Sequence, residues 1–195
     1  MRPTYHSPAD HPLSTALEWP TLTTQWFPDV KEPADKNYTI HRLLIGTHTS
    51  EGVDNHVQIA EVQIPKTTAP SSEDYDDERG EVGGHGKSGE VAAIRFNIVQ
   101  KIDHPSEVNK ARYQPQNPDL IATLSADGRI LVFDRTKHSS QPSGKVNAQI
   151  ELVGHKREGF GLNWNPHEEG CLASGSEDHT VCLWYVTPAR LFVRF

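Results

Sequence analysis

The sequence predicts an all-β chain assembled from a repeated unit of short antiparallel strands, and three observations predict it. Residues 154 to 184 read as three apolar strands with turn chemistry between them. A Gly-His pair opens the stretch, a strand reaches Trp164, Asn165-Pro166 turns the chain, Leu172 to Ser176 gives a second strand, Asp178-His179 a tight turn, and Val181 to Trp184 a third. The stretch also has a copy: a shift of 51 residues lays 103–133 on 154–184 without a gap. His104 then falls on His155, Glu107 on Glu158, Tyr113 on Trp164, Pro115 on Pro166, Ala122 on Ala173, Ser125 on Ser176, Asp127 on Asp178 and Phe133 on Trp184. Finally, four further apolar runs bounded by turns or charged loops precede the copies.

In order, residues 1–13 hold three prolines and no helical period, and read as a loose leader. The region 14–101 reads as a divergent first unit, with strands over Leu22 to Phe27, Tyr38 to Thr49, His56 to Ile64 and about Ala93 to Lys101. The alternation Val57, Ile59, Val62, Ile64 breaks near Ala60, which predicts a bulge. An acidic, Gly-rich loop spans 65–89. The second unit, 102–153, has strands at Val108 to Tyr113, Leu120 to Leu124, Ile130 to Phe133 and Gln149 to Val153. The third, 154–184, is expected to be incomplete at three strands, and 185–195 reads as an atypical tail without turn signals.

Composition bounds the function. With 35% hydrophobic and 23% charged residues the chain is ordinary globular material. No apolar run approaches the length of a membrane span and no signal-peptide pattern opens the chain, so neither a membrane nor secretion is expected, and the Asn37-Tyr38-Thr39 sequon carries no weight. Cys171 and Cys182 are expected as reduced core thiols. A net charge of -7, with six acids against one arginine in 73–81, favours basic partners over direct contact with nucleic acid. No cofactor or metal is implied: the histidines form no His-x-x-x-His, and Gly83-Gly84-His85-Gly86 lacks a P-loop ending.

The 154–184 stretch resembles one repeat of a WD-repeat β-propeller, so the fold class is an all-β propeller fragment, about three antiparallel blades of an expected seven. Where the motif calls for Asp after Trp184 there is Tyr185, and a truncated product is the expectation. The resemblance implies a structural hydrogen-bond network in which Asp178 holds His155, the histidine bonds a strand hydroxyl (Ser176, or Ser174), and that hydroxyl takes the indole N–H of Trp184. The rival reading of Ser, His and Asp as a hydrolytic triad needs an exposed serine and lacks a Gly-x-Ser-x-Gly elbow. Phe133 has no indole, so the His104 set cannot complete such a network.

Ala16-Leu-Glu-Trp-Pro-Thr-Leu-Thr, His41-Arg-Leu-Leu-Ile-Gly-Thr-His-Thr-Ser50, Val108-Asn-Lys-Ala-Arg-Tyr-Gln-Pro-Gln-Asn-Pro118 and Glu158-Gly-Phe-Gly-Leu-Asn-Trp-Asn-Pro166 resemble the histone-binding WD-repeat family, which includes the retinoblastoma-binding chaperones. That resemblance implies a non-enzymatic scaffold subunit of chromatin-modifying or assembly complexes, in nucleus and cytoplasm. Its partners would be core histones with their basic tails, and an acetyltransferase catalytic subunit or other chromatin subunits. It also implies that Glu18, His48, Glu107, Asn109, Glu158 and Phe160 form a tail-binding face, with Phe160 standing where a Tyr is expected. Glu107 and Glu158 occupy the same register in adjacent repeats, where they can receive a lysine or arginine, or else pair with Lys110 and Arg157. The family's second site, a groove beside an N-terminal helix, is not expected, since residues 1–13 do not resemble that helix. A non-histone adaptor propeller is the remaining alternative.

Overall fold

The computed structural model describes residues 15–34, 36–66, 75–76, 81–82, 95–187 and 190–194. The expected leader and most of the acidic loop lie outside them. Fourteen strands are described: β1 (Thr24–Lys31), β2 (Tyr38–Gly46), β3 (Asn55–Pro65), β4 (Tyr75–Asp76), β5 (Glu81–Val82), β6 (Phe96–His104), β7 (Val108–Gln114), β8 (Asn117–Ser125), β9 (Ile130–Asp134), β10 (Ile150–Leu152), β11 (Gly159–Trp164), β12 (Cys171–Ser176), β13 (Val181–Thr187) and β14 (Arg190–Arg194). They form three four-stranded antiparallel sheets, β1-β2-β3-β6, β7-β8-β9-β10 and β11-β12-β13-β14, with β4-β5 as a separate two-stranded ladder. These are blades one, two and three.

Strand parity explains why the blades stack. On β8, Ile121 points toward blade one while Ala122 and Leu124 point toward blade three; on β9, Leu131 and Phe133 face one way and Ile130 and Val132 the other. Blade two is therefore apolar on both faces. One layer joins it to Phe27, Leu44, Val57, Ile59 and Ile102 of blade one, and a second joins it to Leu162, Trp164, Leu172, Cys182 and Trp184 of blade three. Each fully buried aliphatic or aromatic side chain contributes on the order of 1.5–3 kcal/mol. The ladder β3-β6 shifts register between Ile59 and Ala60, where the alternation breaks.

Two expectations need correction. The third sheet is not left at three strands: β14 returns antiparallel along β13, with Thr187 opposite Arg190 and Leu183 opposite Arg194. Residues 185–187 extend β13, and the run Leu191-Phe192-Val193 lies within β14. The return is not legible in the sequence, because the residues between the two strands include no Gly, Asn or Asp to signal it. The first strand, expected over Leu22 to Phe27, runs on through Pro28-Asp29 to Lys31. A register shift between Trp26 and Val30 accommodates that proline, whose missing N–H would otherwise break the ladder.

Candidate functional site

Two sets of residues that sequence reasoning selected cluster at one end of the blades: the histidine networks at the turns, and the acidic positions that precede the inner strands.

In blade three the side chain of His155 is fully buried. Its Nδ1 lies 3.1 Å from Asp178 Oδ2 and its Nε2 2.7 Å from Ser174 Oγ, and Trp184 Nε1 donates to that same hydroxyl at 2.8 Å. Indole to hydroxyl, hydroxyl to imidazole, imidazole to carboxylate: each donor meets an acceptor, so no polar atom in this core is left bare. Asp178 is fixed in turn by the Thr180 hydroxyl at 2.6 Å, the Thr180 amide at 2.9 Å and the Lys156 amide at 2.8 Å. Those hydrogen bonds, the Thr180 hydroxyl first, hold the Asp178 carboxyl well below the usual range, although burial opposes them.

The hydroxyl in this network is Ser174, not Ser176. Ser176 lies at the turn and bonds the carbonyls of Arg157 and Glu158, both at 2.8 Å. Residues two apart share a face, so parity alone could not separate them. Trp184 sits opposite Leu172, and the next same-face residue along β12 toward the His155 loop is Ser174. The condition for the hydrolase reading is not met. Ser174 is 3% exposed and shared between indole and imidazole, and the Ser176 hydroxyl is committed to main-chain carbonyls.

Blade two solves the same problem differently. His104 Nε2 meets Thr123 Oγ1 at 2.9 Å, but Nδ1 turns to the Ser106 carbonyl at 2.6 Å instead of Asp127. The residue after this histidine is Pro105, where blade three has Lys156, so no amide is present to draw in the aspartate. Asp127 binds the Arg129 amide and guanidinium instead, at 3.0 and 2.7 Å. Burial pushes the His104 imidazole down to about 4, keeping it neutral in the fold.

The acidic positions are held by matching backbone geometry. Glu107 immediately precedes β7, and its carbonyl accepts from Ala126 N at 3.2 Å; Glu158 precedes β11, and its carbonyl accepts from Glu177 N at 2.9 Å. The alternative local pairs do not form among the described residues: Arg157 lies 3.7 Å from Glu177, and Lys110 has no ion pair there. The half-buried Glu107 carboxylate likewise has no hydrogen bond or ion pair among them. Asn109 departs from the expected role of open peptide contact. It is 3% exposed and donates to Glu158 Oε2 at 3.3 Å and to Gly159 O at 3.2 Å, latching blade two to blade three and aiming the Glu158 carboxylate.

The remaining positions fall at the same end. Thr47 O accepts from Val108 N at 3.0 Å, which seats exposed His48 beside the start of β7. Exposed Glu18 lies within electrostatic reach of His56, whose amide donates to Thr47 Oγ1 at 2.8 Å. Phe160, second in β11, is 48% exposed. The acidic positions make an open rim suited to a cationic side chain, and Phe160 borders a shallow depression with Gly161, Gly175 and Val181 of its own blade.

The family described as histone-binding protein RBBP4, or a subunit of the CAF1 complex, matches residues 10–66, and the WD domain, G-beta repeat, matches residues 147–185. The chain is 73% identical over 175 residues to "Histone acetyltransferase type B subunit 2" of Gibberella zeae, covering 89% of this chain and 40% of the relative. It is 71% identical over 178 residues to the protein of the same name in Neurospora crassa, covering 90% and 40%. Among solved structures, the WD40 domain of Toxoplasma gondii coronin superimposes with a TM-score of 0.49 at 17% identity, covering 84% of this chain and 37% of that one. In sequence the chain is thus similar to the histone-binding WD-repeat proteins, and it spans about 40% of the length of the curated relatives it matches.

Proposed function

We propose that this chain is the histone-tail-binding part of a non-catalytic scaffold subunit, one that presents core histones to a type B histone acetyltransferase catalytic subunit or to other chromatin complexes, in cytoplasm and nucleus. The observation that carries the reading is the pair Glu107 and Glu158. They stand at the same register of adjacent blades, supported by the same backbone bond, with Glu107 unpaired among the described residues and Glu158 oriented by Asn109. A lysine or arginine entering between them gains charge-assisted hydrogen bonds to both. Glu18 and His48 extend the face toward blade one, and Phe160 offers a ring to the stem or head of the same cation. The names of the relatives support a histone as the source of that cation. The net charge of -7 supports a basic peptide over direct nucleic-acid contact.

Fluorescence anisotropy with a labelled histone-tail peptide tests this. Glu107→Gln and Glu158→Gln should each weaken binding about tenfold, equivalent to about 1.4 kcal/mol, and raised salt should weaken the unsubstituted protein similarly. Unchanged affinity in both variants would sink the proposal. Phe160→Tyr, which restores a hydroxyl, should leave binding equal or slightly tighter.

A further inference from the structure

Below the acidic rim lies a pair of cations that the proposed function does not use. Lys110 and Arg112 sit two residues apart on β7, in an unshifted stretch of ladder where Lys110 is opposite Leu124 and Arg112 opposite Ala122. Directly opposed residues share a face. Leu124 and Ala122 belong to the layer facing blade three, so both side chains leave β7 on the face toward the seam between blades two and three, and the Arg112 guanidinium turns back over the inner edge of blade two to Thr23, just before β1 of blade one. Trp164 of blade three closes that seam from the other side by donating to Arg112 O at 2.9 Å.

The contrast with the other half-buried arginines is informative. Arg42 binds Asp29, Arg129 binds Asp127 and Glu151, and Arg135 binds Asp119. Arg112 has no carboxylate among the described residues. One end of its guanidinium is fixed, with Nη1 donating to Thr23 Oγ1 at 3.1 Å and Ala111 O at 2.7 Å, which leaves Nε and Nη2 without a partner there. Lys110 makes no hydrogen bond or ion pair among the described residues. Burial and, for Lys110, the neighbouring Arg112 charge lower the pKa of both groups, and no carboxylate counters this. Two adjacent, partly desolvated cations in a chain of net charge -7 are costly unless an anion joins them.

We propose that Lys110 and Arg112 form a binding site for an oxyanion of the phosphate class, seated along β7 at the inner edge of blade two. The preset guanidinium supplies planar donors and the lysine a mobile point charge, a combination suited to a tetrahedral oxyanion. The phosphate can be free, or carried on a peptide whose basic residue occupies the rim above. The site itself does not depend on the histone reading, because a free ion needs no peptide.

The test is isothermal titration of the whole chain with inorganic phosphate, and separately with a basic peptide carrying either serine or phosphoserine. Lys110 holds nothing in the fold, so Lys110→Met should stay folded, checked by circular dichroism; Arg112→Lys keeps the charge and removes the planar donors. Phosphate binding that weakens at least tenfold in Lys110→Met, and by less in Arg112→Lys, supports a free ion. A tighter fit for the phosphoserine peptide that vanishes in Lys110→Met, with no binding of phosphate alone, assigns the anion to the peptide. If neither probe distinguishes the unsubstituted chain from Lys110→Met, the two side chains only cover the seam with their stems and the proposal is overturned. Glu107→Gln, which tests the rim, removes a nearby negative charge and should not weaken inorganic phosphate binding, so the two ideas can fail separately.

Discussion

Blades two and three are copies offset by 51 residues, yet they close their polar cores by different means. Blade three runs an unbroken relay from indole to carboxylate, whereas blade two stops at a threonine and ends its histidine on a main-chain carbonyl. Three substitutions between the copies account for this: Phe133 for Trp184, Pro105 for Lys156 and Arg129 for Thr180. The first removes the donor that begins the relay. The second removes the amide, and the third the hydroxyl, that anchor the aspartate at its end. The motif is therefore one of several ways to satisfy a buried imidazole, and blade two, with an apolar layer on both faces, stays packed without it.

The largest effect should come from removing the start of the relay. Trp184→Ala empties the middle of the layer shared with blade two and should cost about 3–5 kcal/mol by denaturant unfolding. Phe133→Ala should cost nearly as much, since burial rather than the relay is what both rings supply. The second test is pH. His104 has a folded pKa lowered to about 4 from an ordinary 6.5, so the unfolded chain binds the extra proton between those values. Stability from this residue is then present above about pH 6.5 and lost as pH falls toward 4, by on the order of 3 kcal/mol. His104→Gln should flatten the stability profile across that window. Asp178, with its carboxyl lowered, acts in a different range: its contribution persists above the usual carboxylate pKa and disappears only in more acid solution.

A sharper comparison is Trp184→Phe, which gives blade three the ring of blade two. The lost indole bond should cost about 1–2 kcal/mol, distinctly less than the alanine variant. The smallest effect concerns the turns. Gly128 and His179 are equivalent residues in the left-handed region, with φ of 85° and 67°. Gly128 is obligatory, because a Cβ there would meet the Arg157 carbonyl oxygen at 2.6 Å. Exposed His179 bears the strain of that conformation, so His179→Gly should stabilise by about 0.5–1 kcal/mol in the same unfolding assay.

Much of this fold was readable because the repeat is spelled out in residues with strong local meaning. The Asp-Gly and Asp-His turns, the paired histidines and the alternation on β8 and β9 mark the strands of blades two and three and which sides are apolar. What escaped notice depends on distance along a strand or on partners far away in sequence. Ser174 and Ser176 have identical parity, so only the placement of Trp184 opposite Leu172 decides between them. Asn109 looked like part of an open peptide face, but its amide reaches Glu158, 49 residues away. The pair of unpartnered cations on β7 was equally hidden. Lysine and arginine two apart are unremarkable in a sequence until the other half-buried arginines among the described residues are seen each to have found an acid.

The double-sided packing of blade two also sets an order of opening. Amides of β8 and β9 are covered by side chains from both neighbouring blades, so exposing them to solvent requires separating two apolar layers at once. Exchange of those amides for deuterium should proceed only through global unfolding, while β10, at the outer edge of the same sheet, exchanges through local fluctuations. Isotope uptake would then divide the middle blade by distance from its edge, slow in the centre and fast at the rim.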